Sequence, residues 1–186
     1  MNDWTLTRAA GLLAEHLANP NLIKHCWAVE AAMRAMAGRL GGDADRWALA
    51  GLLHDLDYDR TKDDFPRHGK VSGEILRALG FTDEDILRAI LEHSGNVPVE
   101  STMGRALYAV DPATGFIVAC ALMHPSKKVA AVPVEFMLKR FTEKRFAQGA
   151  NRDQMKAAEG WFGIGVEELL TLTRDGMAQR SAEIGL

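Results

Sequence analysis

Apolar residues recur along this chain with the spacing of an α-helix. In the segment VPVEFMLKRFTEKRF, Val134, Met137, Leu138 and Phe141 fall at i, i+3, i+4 and i+7, which places them on one helix face. Charged residues occupy the opposite face of the same segment. No run alternates convincingly with a period of two, and β-branched residues are not concentrated anywhere. The sequence therefore predicts an all-α protein.

Boundary signals divide the chain into separate helices. Asp43 and Ser101 each stand before an apolar run, as helix N-caps do. Thr82, with Asp85 three residues later, forms a variant of the capping box. Gly80 is a stop signal for the helix before it.

Length and composition predict one globular domain. The chain has 186 residues, of which 47% are hydrophobic and 25% charged. Cys26 and Cys120 show neither a disulfide framework nor a zinc spacing, and we expect both to be small core residues. The first residues lack a signal-peptide pattern, and the longest apolar run, FIVACALM, is too short to cross a bilayer. We therefore predict a cytoplasmic protein without a membrane partner.

The net charge of −3 conceals a basic segment. Between Lys127 and Lys156 the sequence has eight Lys or Arg and three Asp or Glu, a local net charge of +5, so the remainder sums to −8. Such a segment is compatible with a nucleic-acid patch, the mouth of a site for an anionic substrate, or a solvated helix face.

Four of the six histidines lie on four different predicted helices or at their ends. His25 is inside the second helix, His54 ends the third, His68 begins the fourth and His93 ends the fifth. Asp111, followed by Pro112, predicts the start of a new helix with the aspartate as its cap. We interpret the two other histidines, His16 and His124, as ordinary surface residues.

The adjacent pair His54 and Asp55 is the most informative part of this pattern. Neighbours in the middle of a helix diverge by roughly 100°, whereas at a helix end the backbone can turn both toward one point. Imidazole and carboxylate are ligands of divalent metals, and bundle cores are where such sites are built. Because an apolar run leads directly into this pair, the charge would be costly without a cation beside it.

The segments HDLDYDRTKDD, RHGKVSGEIL, ILEHSG and ALYAVDPATG, read in this order, resemble the HD-domain metal-dependent phosphohydrolase superfamily. They are most similar to its small stand-alone bacterial HDIG-type proteins. The resemblance covers roughly residues 20–128. We therefore predict a single domain over residues 1–186, in which an HD-type helical bundle forms the core over about 20–128 and a C-terminal helical extension follows over about 129–186.

The resemblance also implies a ligand set for one or two divalent ions, which would be Mn, Fe, Co, Ni, Mg or Zn. The first ion would be held by His25, His54, Asp55 and Asp111. Asp55 would bridge to a second ion held by His68 and His93 as well. His54 and Asp55 would then be the catalytic pair.

The chain departs from the HDIG pattern in two places. Asp57 stands where the pattern has glycine, and Tyr58 replaces the lysine that often follows. The Gly-Tyr-Pro signature of the cyclic-dinucleotide phosphodiesterase branch is also missing from the sequence, so that activity is not implied.

Several charged residues near the pattern have two interpretations each. The acidic loop is either solvated or supplies a carboxylate that orients a ligand histidine; its aspartates are Asp57, Asp59, Asp63 and Asp64. The same two interpretations apply to Glu92, the neighbour of His93. Lys127, Lys128 and Arg67 are candidate contacts for a substrate phosphate, with surface charge as the alternative.

Three functions are compatible with these residues. The first is a metal-dependent phosphohydrolase that cleaves a small phosphate ester, with nucleotides among the candidates, by a metal-activated water. The second is a mixed-valent di-iron oxygenase of the same superfamily, which metal identity would distinguish. The third is a metal-binding regulatory module. We expect a small phosphorylated substrate and no nucleic-acid partner, and we leave open whether the chain forms a homodimer.

Overall fold

The computed structural model describes residues 4–186, which form α-helices, short 3₁₀ turns and no strand. The all-α prediction is confirmed. Eleven α-helices are present in this range: α1 (Leu6–His16), α2 (Pro20–Leu40), α3 (Ala44–Leu53), α4 (Tyr58–Thr61), α5 (Lys70–Ala78), α6 (Glu84–His93), α7 (Thr102–Met123), α8 (Val134–Phe141), α9 (Arg152–Phe162), α10 (Val166–Ala178) and α11 (Ser181–Ile184). The 3₁₀ turns are Phe65–Arg67 and Val129–Ala131.

Helices α2 and α7 form the centre of the bundle. Helix α2 packs against α3, α7, α10 and α11, and α7 packs against α6, α9 and α10 as well. Both helices bury many small side chains, which allows their neighbours to approach closely. Cys26 and Cys120 are free thiols buried in this core, as predicted.

Two of the predicted helix caps agree with the structure. Asp43 caps α3 by accepting hydrogen bonds from the amides of Asp45 and Arg46, and Ser101 caps α7. The prediction for α6 was wrong by one residue, because Asp83 rather than Thr82 is the cap. The Asp83 carboxylate accepts from the Ile86 amide and also binds Arg46, so it caps α6 and joins it to α3.

The predicted helix break at Asp111–Pro112 was wrong. Helix α7 runs without interruption from Thr102 to Met123, with Pro112 inside it. Proline cannot donate to the carbonyl four residues earlier, so this position is locally unfavourable. Tertiary packing overrides it, because Ala109, Val110 and Ala113 on either side are fully buried. Asp111 is therefore a mid-helix residue, and capping does not explain its presence.

By length and composition, α7 could cross a membrane, since an 18-residue window in it has a mean hydropathy of 1.6. This is weak evidence for a membrane span, because 56% of that window is buried inside the bundle. The apolar character of α7 is explained by its central position in the core.

Helices α2 and α3 approach each other closely at Gly51. A Cβ atom there would lie 2.7 Å from the Val29 carbonyl oxygen and 3.0 Å from the Glu30 Cα, both parts of the α2 backbone. Only glycine permits this approach. The contact fixes the distance between the helix that carries His25 and the helix that ends at His54.

We predict that Gly51→Ala lowers the free energy of unfolding by about 1–3 kcal/mol, because the α2 backbone cannot move aside without disturbing the core. The matched control is Gly38→Ala, where a Cβ would meet no heavy atom within 4 Å in the interior of α2. That change should raise stability by roughly 0.5–1 kcal/mol through helix propensity. Urea unfolding of both variants without metal measures the difference, and equal effects would contradict the close approach.

Candidate metal centre

Six side chains from five parts of the fold converge on one point. His25 comes from the middle of α2, His54 and Asp55 follow the last residue of α3, His68 precedes α5, His93 ends α6 and Asp111 lies in mid-α7. The structure therefore brings together all six residues that the sequence pattern proposed as metal ligands. Four of them are buried or nearly so, while His25 and Asp111 have side chains that are 24% and 28% exposed and face the adjoining cavity.

Two of the histidines are oriented by the free carbonyl groups at helix C-termini. His54 donates its Nδ1–H to the Gly51 carbonyl at 2.8 Å, and His93 donates its Nδ1–H to the Ile90 carbonyl. The last carbonyls of a helix have no partner within the helix, so an imidazole three residues later satisfies one of them. Each bond directs the Nε2 atom of the ring toward the cluster.

The other two histidines are oriented by side chains. His25 Nδ1 lies 3.2 Å from the Thr114 hydroxyl oxygen, which accepts because its own proton is donated to the Asp111 carbonyl at 2.8 Å. His68 donates Nδ1–H to the Asp57 carboxylate at 2.8 Å. All four Nε2 atoms are thus available at the same centre.

Asp55 is the shared member of the cluster. Its Oδ1 lies 3.4 Å from His54 Nε2, 3.2 Å from His68 Nε2 and 3.5 Å from His93 Nε2, while Oδ2 lies 3.7 Å from His25 Nε2. Asp111 Oδ1 completes the other side, 3.0 Å from His25 Nε2 and 3.8 Å from His54 Nε2.

These distances fit metal ligation. Two ligands that each lie about 2.0–2.2 Å from one ion are separated by roughly 3–3.6 Å at octahedral or tetrahedral angles. His25, His54 and Asp55 form one group of potential ligands, and Asp55, His68 and His93 form a second; a third group, His54, His93 and Asp111, overlaps the other two. Asp55 belongs to the first two groups, as a bridging carboxylate would.

One buried atom independently indicates a cation. His54 Nε2 is fully buried and has no hydrogen-bond partner in the part of the chain described here. Burial lowers the pKa of this imidazole to about 4, so the ring is neutral at physiological pH and its Nε2 carries a lone pair. An unsatisfied buried acceptor is costly, and a divalent cation would satisfy it.

The second group holds a proton when no metal is bound. Burial lowers the pKa of His68, but its hydrogen bonds to Asp55 and Asp57, together with their charges, outweigh burial and raise it to about 10. Burial likewise opposes ionisation of Asp55, yet the charges and hydrogen bonds of the surrounding histidines hold its pKa well below the usual range. A cation that binds here must displace the His68 proton.

The position of Asp57 decides between the two interpretations of this member of the acidic loop. Its side chain is fully buried and accepts hydrogen bonds from His68 Nδ1 at 2.8 Å and from the amides of Gly69 and Ser72 at 2.9 Å each. The solvated interpretation is therefore wrong for Asp57, which orients a ligand histidine. Asp63 and Asp64 are exposed, and Asp59 accepts a hydrogen bond from the Ala18 amide at 2.7 Å.

Glu92 faces away from the cluster. Its buried carboxylate accepts from the amide and hydroxyl of Ser101 at the start of α7, and from Arg88 at 2.8 Å. The side chain therefore joins α6 to α7. A signal for this role was present in the sequence, since Ser101 was already the predicted cap of α7.

The three predicted phosphate contacts do not line the cavity beside the cluster, as far as the described residues show. Arg67 is exposed and lies 3.9 Å from Asp64, and the Lys127 ammonium donates to the Leu122 carbonyl at the end of α7. Lys128 is exposed as well. Their role stays a prediction. Among the other histidines, His16 Nδ1 is 3.2 Å from the Arg60 guanidinium, and both His16 and His124 lie outside the cluster.

Comparison with known proteins agrees with this geometry. The family described as HD domain matches residues 22–124, more than half of the chain. Ribonuclease Y of Oleidesulfovibrio alaskensis is 30% identical over 95 residues, which are 51% of this chain and 18% of that protein. Ribonuclease Y of a Sulfurovum species is 31% identical over 91 residues, or 49% of this chain and 18% of that protein.

An uncharacterized protein of Methanocaldococcus jannaschii is 38% identical over 88 residues, 45% of this chain and 50% of that protein. The similarity thus spans half or less of the length of each of these relatives. No solved structure matches the chain.

We predict that Asp57→Asn weakens the second metal site by roughly 10–100-fold and leaves the first unchanged, because the amide cannot accept from His68 and two backbone amides together. The control is Asp63→Asn in the same loop, whose side chain is exposed. Calorimetric titration with Mn²⁺ resolves the two sites. An equal loss at both sites would contradict a specific role in orienting His68.

We also predict that metal affinity at the second site depends on pH. Because the pKa of His68 is raised to about 10, the metal-free ring is charged at pH 7 and one proton leaves when metal binds. The apparent affinity should therefore rise by about tenfold for each pH unit between pH 7 and 9. Titrations in buffers of different ionisation enthalpy measure the released proton, and His68→Ala should abolish its release.

Proposed function

We propose, from the premise that this chain belongs to the HD domain family, that it is a metal-dependent phosphohydrolase which cleaves a small phosphate ester. The observation that carries the proposal is the pair of ligand groups that share Asp55. Two divalent cations held by such a pair would supply activation of a water and stabilisation of the attacking and leaving oxygens in a displacement at phosphorus.

The side chains divide this task between them. His25, His54, Asp55 and Asp111 would hold the first cation, and Asp55, His68 and His93 the second. The carbonyls of Gly51 and Ile90 fix the rings of His54 and His93 before any ligand arrives, so little reorganisation is needed. Asp57 does the same for His68 and offsets part of the positive charge beside it.

A cavity of about 590 Å³ adjoins the cluster and receives the side chains of His25, Asp55, His68, His93 and Asp111 on one side. This size is suitable for a small organic molecule. It supports a small ester as the substrate in preference to a polymer.

The name ribonuclease Y raises RNA as a second substrate class, since those relatives share the HD region with this chain. Their similarity covers only 18% of their own length, so we retain the small ester as the proposed substrate and include RNA in the test. We propose a cytoplasmic location, in keeping with a phosphorylated metabolite as the partner.

The decisive experiment replaces the shared carboxylate. Asp55→Asn should show no measurable hydrolysis of phosphate monoesters, because the amide removes both the charge and the second oxygen ligand. Added Mn²⁺ at 100 times its dissociation constant should stabilise the natural protein by about 2.7 kcal/mol but should not stabilise the variant. Without metal, the variant should be less stable above pH 4, because the lowered pKa of Asp55 shows that folding favours its ionised form.

Asp63→Asn serves as the control and should change neither hydrolysis nor the response to Mn²⁺. The assay uses a panel of monoesters and a short RNA, with Mn²⁺, Fe²⁺, Co²⁺, Ni²⁺, Mg²⁺ and Zn²⁺ supplied separately. Hydrolysis retained in Asp55→Asn contradicts the proposal. Oxygen consumption that requires iron, without hydrolysis of any ester, would replace it with oxygenase chemistry.

A further inference from the structure

The lining of the cavity beside the metal cluster divides by chemistry into two halves. The first half is the set of candidate ligand side chains. The second half is the set of uncharged residues, to which Ala119, Ala147, Gly149 and Ala150 contribute, together with Phe65, whose ring centroid lies 5.2 Å from that of His68. A substrate whose phosphoryl group lies at the cluster must place its remaining part against this second half.

No lysine or arginine is among the described residues that line this cavity. The nearest polar groups on the second half are neutral, and Gln154 of α9 is one of them. A second negative charge on the substrate would be desolvated there without a partner, which is unfavourable. The lining therefore favours a substrate that carries its charge at one end only.

Three of these wall residues belong to one loop, between α8 and α9. Arg152, the first residue of α9, holds the loop through backbone carbonyls: its guanidinium donates to Ala147 and Ala150 at 2.7 Å and to Phe146 at 2.6 Å. The same guanidinium lies 4.6 Å from the ring centroid of Phe116 in α7.

The loop is also locally strained. Ala147 has a φ of +44°, a left-handed conformation that residues with a side chain rarely adopt. Such strain persists only where the surroundings enforce it, and here the Arg152 hydrogen bonds on both sides of Ala147 do so. Arg152 is thus a positioning residue for the cavity wall.

We propose that the loop Phe146–Ala150, which lies outside the region that matches the HD family, recognises the uncharged organic part of the substrate. The substrate class is a phosphate monoester with one phosphoryl group and a flat or apolar remainder. The inference rests on the proposed function for the placement of the phosphoryl group at the metal cluster.

Cations do lie near the site, but in neighbouring cavities. Lys24 lines a cavity of about 490 Å³ on the other side of His25 and Gly115. Lys144 and Lys156 line a third cavity behind the loop. A substrate with a second anionic group would have to reach one of these lysines. The change in affinity when a second negative charge is added to a probe therefore distinguishes a substrate with one anionic group from a substrate with two.

The test uses three probes with the same headgroup, namely methylphosphonate, phenylphosphonate and 4-carboxyphenylphosphonate. They are titrated calorimetrically into the full chain loaded with Mn²⁺. Phenylphosphonate should bind about tenfold more tightly than methylphosphonate, as a modest apolar contact does. The added carboxylate should cancel this gain. Tighter binding of the carboxylate probe would overturn the proposal.

Two variants assign the effect to the loop. Gly149→Leu and Arg152→Met should each weaken phenylphosphonate by about tenfold and leave methylphosphonate unchanged, because only the larger probe reaches the wall. Gly160→Leu is the matched control, since a Cβ at Gly149 or at Gly160 meets no heavy atom within 4 Å. It lies on α9 outside the cavity lining and should change neither affinity. Equal effects of Gly149→Leu and Gly160→Leu would overturn the proposal.

A third variant places a cationic side chain in the cavity lining, where the described residues include no lysine or arginine. Gln154→Lys should make 4-carboxyphenylphosphonate the tightest of the three probes, and an unchanged order would count against the proposed position of the organic group. Hydrolysis of phenyl phosphate is measured in parallel. Selective binding without any hydrolysis would overturn the proposed function alone, whereas hydrolysis with no preference between the methyl and phenyl probes would overturn only the role of the loop.

Discussion

Four imidazole rings and two carboxylates are desolvated around one point, and this arrangement determines what the rest of the bundle must do. Donor atoms of the same kind face each other there: His68 Nε2 lies 3.1 Å from His93 Nε2, and His54 Nε2 has no partner among the described residues. Without a cation, the cluster depends on a proton on His68 that Asp55 and Asp57 retain. With cations bound at both ligand groups, each Nε2 atom and each carboxylate would face a positive charge. The free energy of metal binding is thereby coupled to the packing of five separate segments.

Backbone groups orient the side chains of this cluster and set the distances between them. The carbonyls that orient His54 and His93 are those that a helix C-terminus leaves unpaired, so the same atoms end the helix and aim the ligand. The close approach of α2 to α3 at Gly51 then sets the distance between His25 and His54. The continuous course of α7 through Pro112 brings Asp111 to the opposite side. The candidate ligands on α2, α3, α6 and α7 are therefore positioned by backbone contacts that also hold these helices in place.

The residues proposed to act on the phosphoryl group and those proposed to recognise the remainder of the substrate lie in different parts of the chain. The six candidate metal ligands all fall within residues 22–124, the region shared with the HD family. The loop that closes the other half of the cavity follows α8, and its conformation depends on Arg152 rather than on any ligand. Much of the basic character of residues 127–156 is used inside the fold or on its surface: Arg140 pairs with Glu143, Lys156 with Asp153, and Arg152 binds the loop. The net charge of a segment is thus a poor guide to the charge of the cavity beside it.

The sequence by itself determined the helical class, the caps of α3 and α7 and the identity of the six residues that cluster, because apolar spacing, caps and a histidine–aspartate order are local properties. Tertiary structure decided three further points. It kept α7 continuous through Pro112, since burial of the neighbouring residues outweighs one lost backbone hydrogen bond. It buried Asp57 while leaving Asp63 in solvent, although both lie in one acidic loop, because only Asp57 meets His68 and two free amides. It also left the predicted phosphate contacts Arg67, Lys127 and Lys128 off the cavity lining, since the direction of a long side chain on a loop depends on contacts that are distant in sequence.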